Sequence, residues 1–236
     1  MATHDPHRAH RSVAGGLARA AVFGANDGLV SNVSLIIGFA GSGADSSVVR
    51  LAGLAGAIAG SISMAAGEWV SISAQNDLIE RELAVERREL IHNPSSETFE
   101  LADMYEAHGM SPSHALTAAE QVMRQPESAL AVHAREELGI DPHDLPSPWR
   151  AAALSFVCFL VGALLPVIPW LFDVSGSAPT ITSLVIGGVA AGVIGAAIGR
   201  RAERNLAWFV VRQVLIVMGA CAVTYSIGRI VGINVT

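Results

Sequence analysis

The chain has 236 residues, 51% hydrophobic and only 15% charged, with a mean hydropathy of +0.45. So much apolar sequence excludes an ordinary soluble domain and points to the bilayer as solvent. The net charge of -6 excludes nucleic acid as a partner, which needs a basic face.

Residues 1–17 form a polar tail. No apolar run stands behind a basic start, so no cleaved signal peptide is expected, and His4, His7 and His10 read as part of the tail rather than as ligands. Residues 18–74 hold the first two transmembrane helices, Ala18–Gly41 and Val48–Ser71, each close to the roughly 20 apolar residues a span needs. Residues 75–147 are charged and amphipathic, a helical insert. Residues 148–236 return to the membrane with Pro148–Phe172, Ile181–Gly199 and Ala207–Gly232. The sequence therefore predicts an all-α membrane protein of about five transmembrane helices, with a cytosolic helical insert between the second and third.

Arginine placement sets the orientation, and every basic residue is Arg. Arg8, Arg11 and Arg19 precede the first span, Arg150 the third, and Arg200, Arg201 and Arg204 lie between the fourth and fifth. The opposite loops, Ser42–Ser47 and Asp173–Thr180, carry none. By the positive-inside rule the N-terminus and the insert are cytosolic and the C-terminus is outside. Gly53, Gly56, Gly60 and Gly67 in the second span, and Gly188, Gly192, Gly195 and Gly199 in the fourth, predict close helix crossings. Pro166 and Pro169 are expected to kink or end the third span. Cys158 and Cys221 lie within apolar runs and read as small buried side chains.

Asp27 is the informative residue of the first span, because a carboxylate at bilayer depth is costly unless it faces protein, water or an ion. Ser31, Ser34 and Gly38 follow it at helical spacing, and Asn26 and Asn32 add oxygen atoms nearby. In the second span Gly60, Met64 and Glu68 are four apart and share a face. The pattern predicts a cation pathway lined by Asp27, Ser31, Asn32, Met64 and Glu68. Its oxygens attract any divalent ion, and the thioether favours softer transition metals.

The insert is acidic and is read as helices. The first continues out of the second span to about His92, where Asn93-Pro94 breaks it. Ser95 or Ser96 caps the next, which ends at Gly109. Ser111-Pro112 opens a third, which Pro126 interrupts or replaces with a new piece. Glu86 and Glu89 share a face, as do Glu97 and Glu100, and His133 and Glu137. These six are candidate metal ligands, the alternative being a solvated acidic surface. Glu89-x-x-His92 also fits the helical ligand pair of di-iron carboxylate proteins, but a second such pair is missing.

Gly24-Ala-Asn-Asp27-Gly28-Leu-Val-Ser31-Asn32, followed by Gly56-x3-Gly60-Ser-Ile-Ser63-Met64-Ala-Ala-Gly67-Glu68-Trp-Val-Ser71, resembles the vacuolar iron transporter family, which includes the yeast calcium-cross-complementing type. The likeness covers nearly the whole chain. It implies a homodimer in a lipid bilayer that exchanges cytosolic Fe(II), often also Mn(II), for protons, with no permanently bound cofactor. It implies that Asp27 and Met64 line the pathway and that Glu86, Glu89, Glu97 and Glu100 bind metal in the insert. Where the family's last insert helix brings methionines and a Glu, this chain has His133, Ala134 and Glu137, a more imidazole-like donor set. The dominance of Ala, Gly and Arg implies a bacterial plasma membrane, a vacuolar membrane if the source is eukaryotic. Proton-coupled export of divalent metal is the expected function. The rival classes are a membrane di-iron oxidase and a non-transporting scaffold.

Overall fold

The computed structural model describes residues 16–172 and 176–233. His4, His7, His10, Arg8, Arg11 and Asp173 lie outside the described residues. Among the described residues the chain is helical, with no strand. In order it forms α1 (Gly16–Gly41), α2 (Ser46–His92), α3 (Pro94–Ala107), α4 (Pro112–Met123), α5 (Pro126–Glu136), α6 (Pro148–Leu164), a 3-10 segment (Leu165–Leu171), α7 (Ala178–Arg201) and α8 (Leu206–Ile233). Five of these stretches are long and apolar enough to cross a membrane: α1, α2, α6 with its 3-10 extension, α7 and α8. The chain is an all-α, multi-pass membrane protein.

Two compact units are present. One draws on residues up to Trp69 and from Pro148 onward, the other on Val70–Ser147. In the first, α1 is the central helix and packs on α6, α7 and α8. Leu29, Val33 and Ile37 of α1 meet Ala191 of α7 and Val217 and Cys221 of α8 in a buried cluster. A second cluster joins Ile36 to Val49, Val167 and Trp170. With lipid outside as apolar as the core inside, such contacts hold by packing rather than by escape from water. Backbones therefore approach closely. A Cβ on Gly28 would run into the Phe159 carbonyl of α6, and one on Gly162 into the Ala25 carbonyl of α1.

Helix α7 shows the membrane logic most plainly. Its inward row is small: Ser183, Gly187, Ala191, Gly195 and Gly199 are all buried. Its outward row is large: Ile181, Val185, Val189 and Val193 are each 57–64% exposed. The tight face thus contains Gly187 rather than the expected Gly188, which has open space beside it. Spacing alone marks Gly188 and Gly192 as a pair, but the row set by Val33 of α1 and Phe209 of α8 falls one residue earlier.

The prolines of the third span act as expected. At Leu165 the helix tightens into the 3-10 segment, which contains Pro166 and Pro169. Carbonyls freed by the missing N–H groups find side-chain donors. Ser183 Oγ donates to Pro166 O at 2.7 Å, and Trp170 Nε1 donates to Ser183 Oγ at 2.9 Å.

In the second unit, α3 and α4 pack through Leu101, Ala102, Ala115 and Ala119, with Val132 of α5 against them, and Leu83 of α2 meets Leu130 and Ala134 of α5. Each short helix begins with Pro at its first turn, where the missing N–H costs nothing. This moves one cap: α3 starts after Asn93, not after Ser95 or Ser96, because Pro94 already has the backbone angle of a first helical residue.

Candidate functional site

Two clusters of polar side chains stand out, one in each unit. In the membrane unit, α1, α2 and α6 line an open cavity of about 590 Å³. Asp27, Ser31 and Asn32 line it from α1, and Gly56, Gly60, Ser63, Met64, Gly67 and Glu68 from α2. All five pathway residues expected from the sequence thus share one cavity. Asp27 is half-buried on its wall. Ser31 turns its hydroxyl back to the Asp27 carbonyl at 2.5 Å. Met64 packs beside Phe159 and Ala163 of α6. Glu68 marks the end of the cavity nearest the α1 N-terminus, with Arg19 Nη2 3.9 Å away and largely exposed.

Phe23 and Phe159 also line this cavity, and sequence reasoning missed both. A Phe in an apolar span carries no signal of its own. The indirect signal is Gly60, whose missing side chain leaves room for the Phe159 ring.

Three helices position the second cluster. His133 of α5 is fully buried, with Nδ1 3.1 Å from Glu86 Oε1 of α2 and 3.8 Å from Glu97 Oε2 of α3. Glu137, four residues after His133, brings a ligand atom into the same group, and Glu86, His133 and Glu137 offer three atoms within 4.8 Å of one another. Both ring nitrogens of His133 and Oε1 of Glu86 are buried without a hydrogen-bond partner. Unpaired polar atoms in such a place cost about 1–3 kcal/mol each. A divalent cation would satisfy them together, because carboxylate and neutral imidazole are its ordinary donors.

The protonation states agree with that use. Burial pushes the Glu86 carboxyl up to about 7, and the negative charges of Glu137, Glu97 and Glu89 add to the shift. Glu97 is also raised, by burial first and then by Glu100, Glu89 and Glu137. Burial lowers His133, against an upward pull from Glu100. The metal-free cluster thus holds excess negative charge that protons relieve, and the imidazole stays neutral. Glu89 and Glu100 are exposed and act on the inner carboxylates through charge. His92 is exposed and its Nδ1 lies 2.7 Å from the Arg88 carbonyl, so the Glu89-x-x-His92 pair forms no part of this cluster.

Comparison with known proteins places this architecture. The model of the VIT family matches residues 18–229. The chain is 38% identical to a vacuolar iron transporter of Acanthamoeba castellanii over 164 residues, 70% of this chain and 59% of that protein. It is 30% identical to vacuolar iron transporter 1 of Eucalyptus grandis over 185 residues, 77% of this chain and 73% of that one. It is 27% identical to a vacuolar iron transporter of Centaurea cyanus over 226 residues, 94% of this chain and 91% of the other. A match over nearly all of the membrane helices and the acidic segment between them shows that the chain belongs to the VIT family.

Proposed function

We propose that this protein carries a divalent transition metal, Fe(II) or Mn(II), out of the cytosol in exchange for protons. The observation that carries the reading is the membrane cavity, where a carboxylate, an amide, a hydroxyl and a thioether from two helices converge around Asp27 and Met64. A carboxylate is tolerated at bilayer depth when a cation or proton neutralises it, and protonation and metal ligation compete for the same oxygens. Membership of a family whose relatives are named vacuolar iron transporters supports the same reading.

The acidic unit supplies the metal. Glu86, Glu97, His133 and Glu137 bind the ion, and Glu89 and Glu100 raise its local concentration. His133 brings imidazole where a thioether would be softer, which favours borderline ions. Ser31 on the cavity wall is exposed, which suits a homodimer closing the pathway with a second copy. The Arg distribution supports a cytosolic acidic unit, and the Ala-, Gly- and Arg-rich composition supports a bacterial plasma membrane.

The test is flux in proteoliposomes with an imposed pH gradient. Fe(II) or Mn(II) movement should run against proton movement, and Asp27→Asn should abolish both. Met64→Ala should reduce Fe(II) transport more than Mn(II) transport. Retained proton-coupled flux in Asp27→Asn would refute the reading.

A further inference from the structure

Asn32 of α1 is 2% exposed, yet it sits on the wall of the transmembrane cavity. Its Nδ2 donates to the Gly53 carbonyl of α2 at 3.0 Å and to the Ala163 carbonyl of α6 at 2.6 Å. The second acceptor exists for a covalent reason. In the 3-10 pattern that begins at Leu165, the donor to Ala163 O would be residue 166, a proline without an N–H.

Both hydrogens of the Asn32 amide are therefore committed, to two different helices. Turning the amide over would set its oxygen against two carbonyl oxygens, so only one orientation is possible. Oδ1 is then fixed as well. It is buried, has no hydrogen-bond partner, and lies where a Cβ on Gly56 would come within 2.8 Å of it. Gly56 lines the same cavity. An amide oxygen left unpaired costs about 1–3 kcal/mol, and a cation or its bound water would relieve that cost.

We infer that Asn32 Oδ1 is a fixed, neutral oxygen donor to the cation in this cavity, and that Gly56 lacks a side chain so that the ion can reach it. The inference rests on the transport reading above. Unlike Asp27, this oxygen cannot take up a proton in exchange for metal. Its donor strength is the same whether Asp27 is protonated or ionised, and so it acts on selectivity rather than on coupling. A hard oxygen beside Asp27 and Met64 tilts the set toward Mn(II); its loss leaves a softer set that prefers Fe(II).

The experiment measures initial rates of Mn(II) and Fe(II) transport by the full chain in proteoliposomes, for wild type, Asn32→Leu and Gly56→Ala. Gly56→Ala keeps both Asn32 donors and places a methyl over Oδ1. The other atom close to that methyl, at 2.7 Å, is Leu35 Cδ2, the end of a flexible side chain. Both variants should raise the Mn(II) KM about ten-fold and raise the ratio of Mn(II) KM to Fe(II) KM. A merely structural amide would give a lower melting point in Asn32→Leu with an unchanged KM ratio in both variants, and that result overturns the inference. If Gly56→Ala folds poorly, the double variant Gly56→Ala with Leu35→Ala reads the same ratio. A wild-type chain that moves neither metal sinks the transport reading and this inference with it. A wild type that transports while the variants keep its KM ratio sinks only the role of Asn32.

Discussion

On the metal-binding role proposed for the acidic unit, the raised Glu86 carboxyl should make its metal affinity depend on pH. With its proton leaving at about 7, Glu86 is about nine-tenths ionised at pH 8 and about one-tenth ionised at pH 6. A metal ion must displace that proton to use the oxygen, so affinity at this cluster should fall about ten-fold between those pH values. Burial lowers His133, which shifts its own proton competition toward more acid pH. Titration of the full chain in detergent with Mn(II), followed by the loss of free-ion paramagnetic signal, reads the affinity directly. Glu86→Gln should bind more weakly at pH 8 and lose this part of the pH slope. Equal affinity at pH 6 and pH 8, or a Glu86→Gln slope identical to wild type, would show that Glu86 does not ligate the ion.

Other outcomes follow from packing and from charge. Gly28→Ala and Gly162→Ala each press a methyl into the backbone carbonyl of the facing helix and should cost about 1–3 kcal/mol, seen as a lower melting point in detergent; Gly188→Ala, with open space, should leave it unchanged or slightly higher. Ser183→Ala strands the Trp170 indole N–H and the Pro166 carbonyl together, so it should destabilise by about 2 kcal/mol, and Trp170→Phe, which leaves Ser183 bonded to Pro166 O, should cost less. Without metal, the raised Glu86 contributes stability that is complete below pH 4.5 and lost as the pH rises through about 7. The lowered His133 has the opposite sign, adding stability as the pH rises toward 6.5, so the two oppose each other at acid pH. Above pH 6.5 the raised Glu86 and Glu97 carboxyls act in the same direction, and metal-free chain should soften as the pH rises through about 7; a melting point that climbs there would contradict the shift.

The spans were legible because a bilayer demands run length, and Ala18–Gly41 lies within α1 to a residue or two. The proline breaks were legible because a missing N–H acts locally. Which side of a helix faces inward was less so. Glu86 and Glu89 lie three apart on one face, yet only Glu86 turns into the cluster, since three residues leave the two side chains about 60° apart around the axis. Glu97 and Glu100 divide in the same way. Gly195 and Gly199 of α7 lie on the inward row as expected, but Gly188 and Gly192 were offset from it by one residue, because that row depends on partners such as Val33, distant in sequence. Phe159 was illegible, since nothing distinguishes an aromatic ring facing a cavity from one facing lipid. The convergence of His133 with Glu86 and Glu97 required α2, α3 and α5 to be assembled, which no spacing along one helix encodes.

Pro166 gives a final lesson for anyone who would rebuild this protein. Replacing a mid-span proline with alanine is a familiar route to a straighter, sturdier helix. Here a straightened α-helix would bring the Val167 N–H to the Ala163 carbonyl now held by Asn32, and an amide evicted from that grip would be free to swivel. A change that improves the third span as a rod would therefore, on the role inferred for Asn32, blur the discrimination between ions a helix away, with every residue on the cavity wall left untouched.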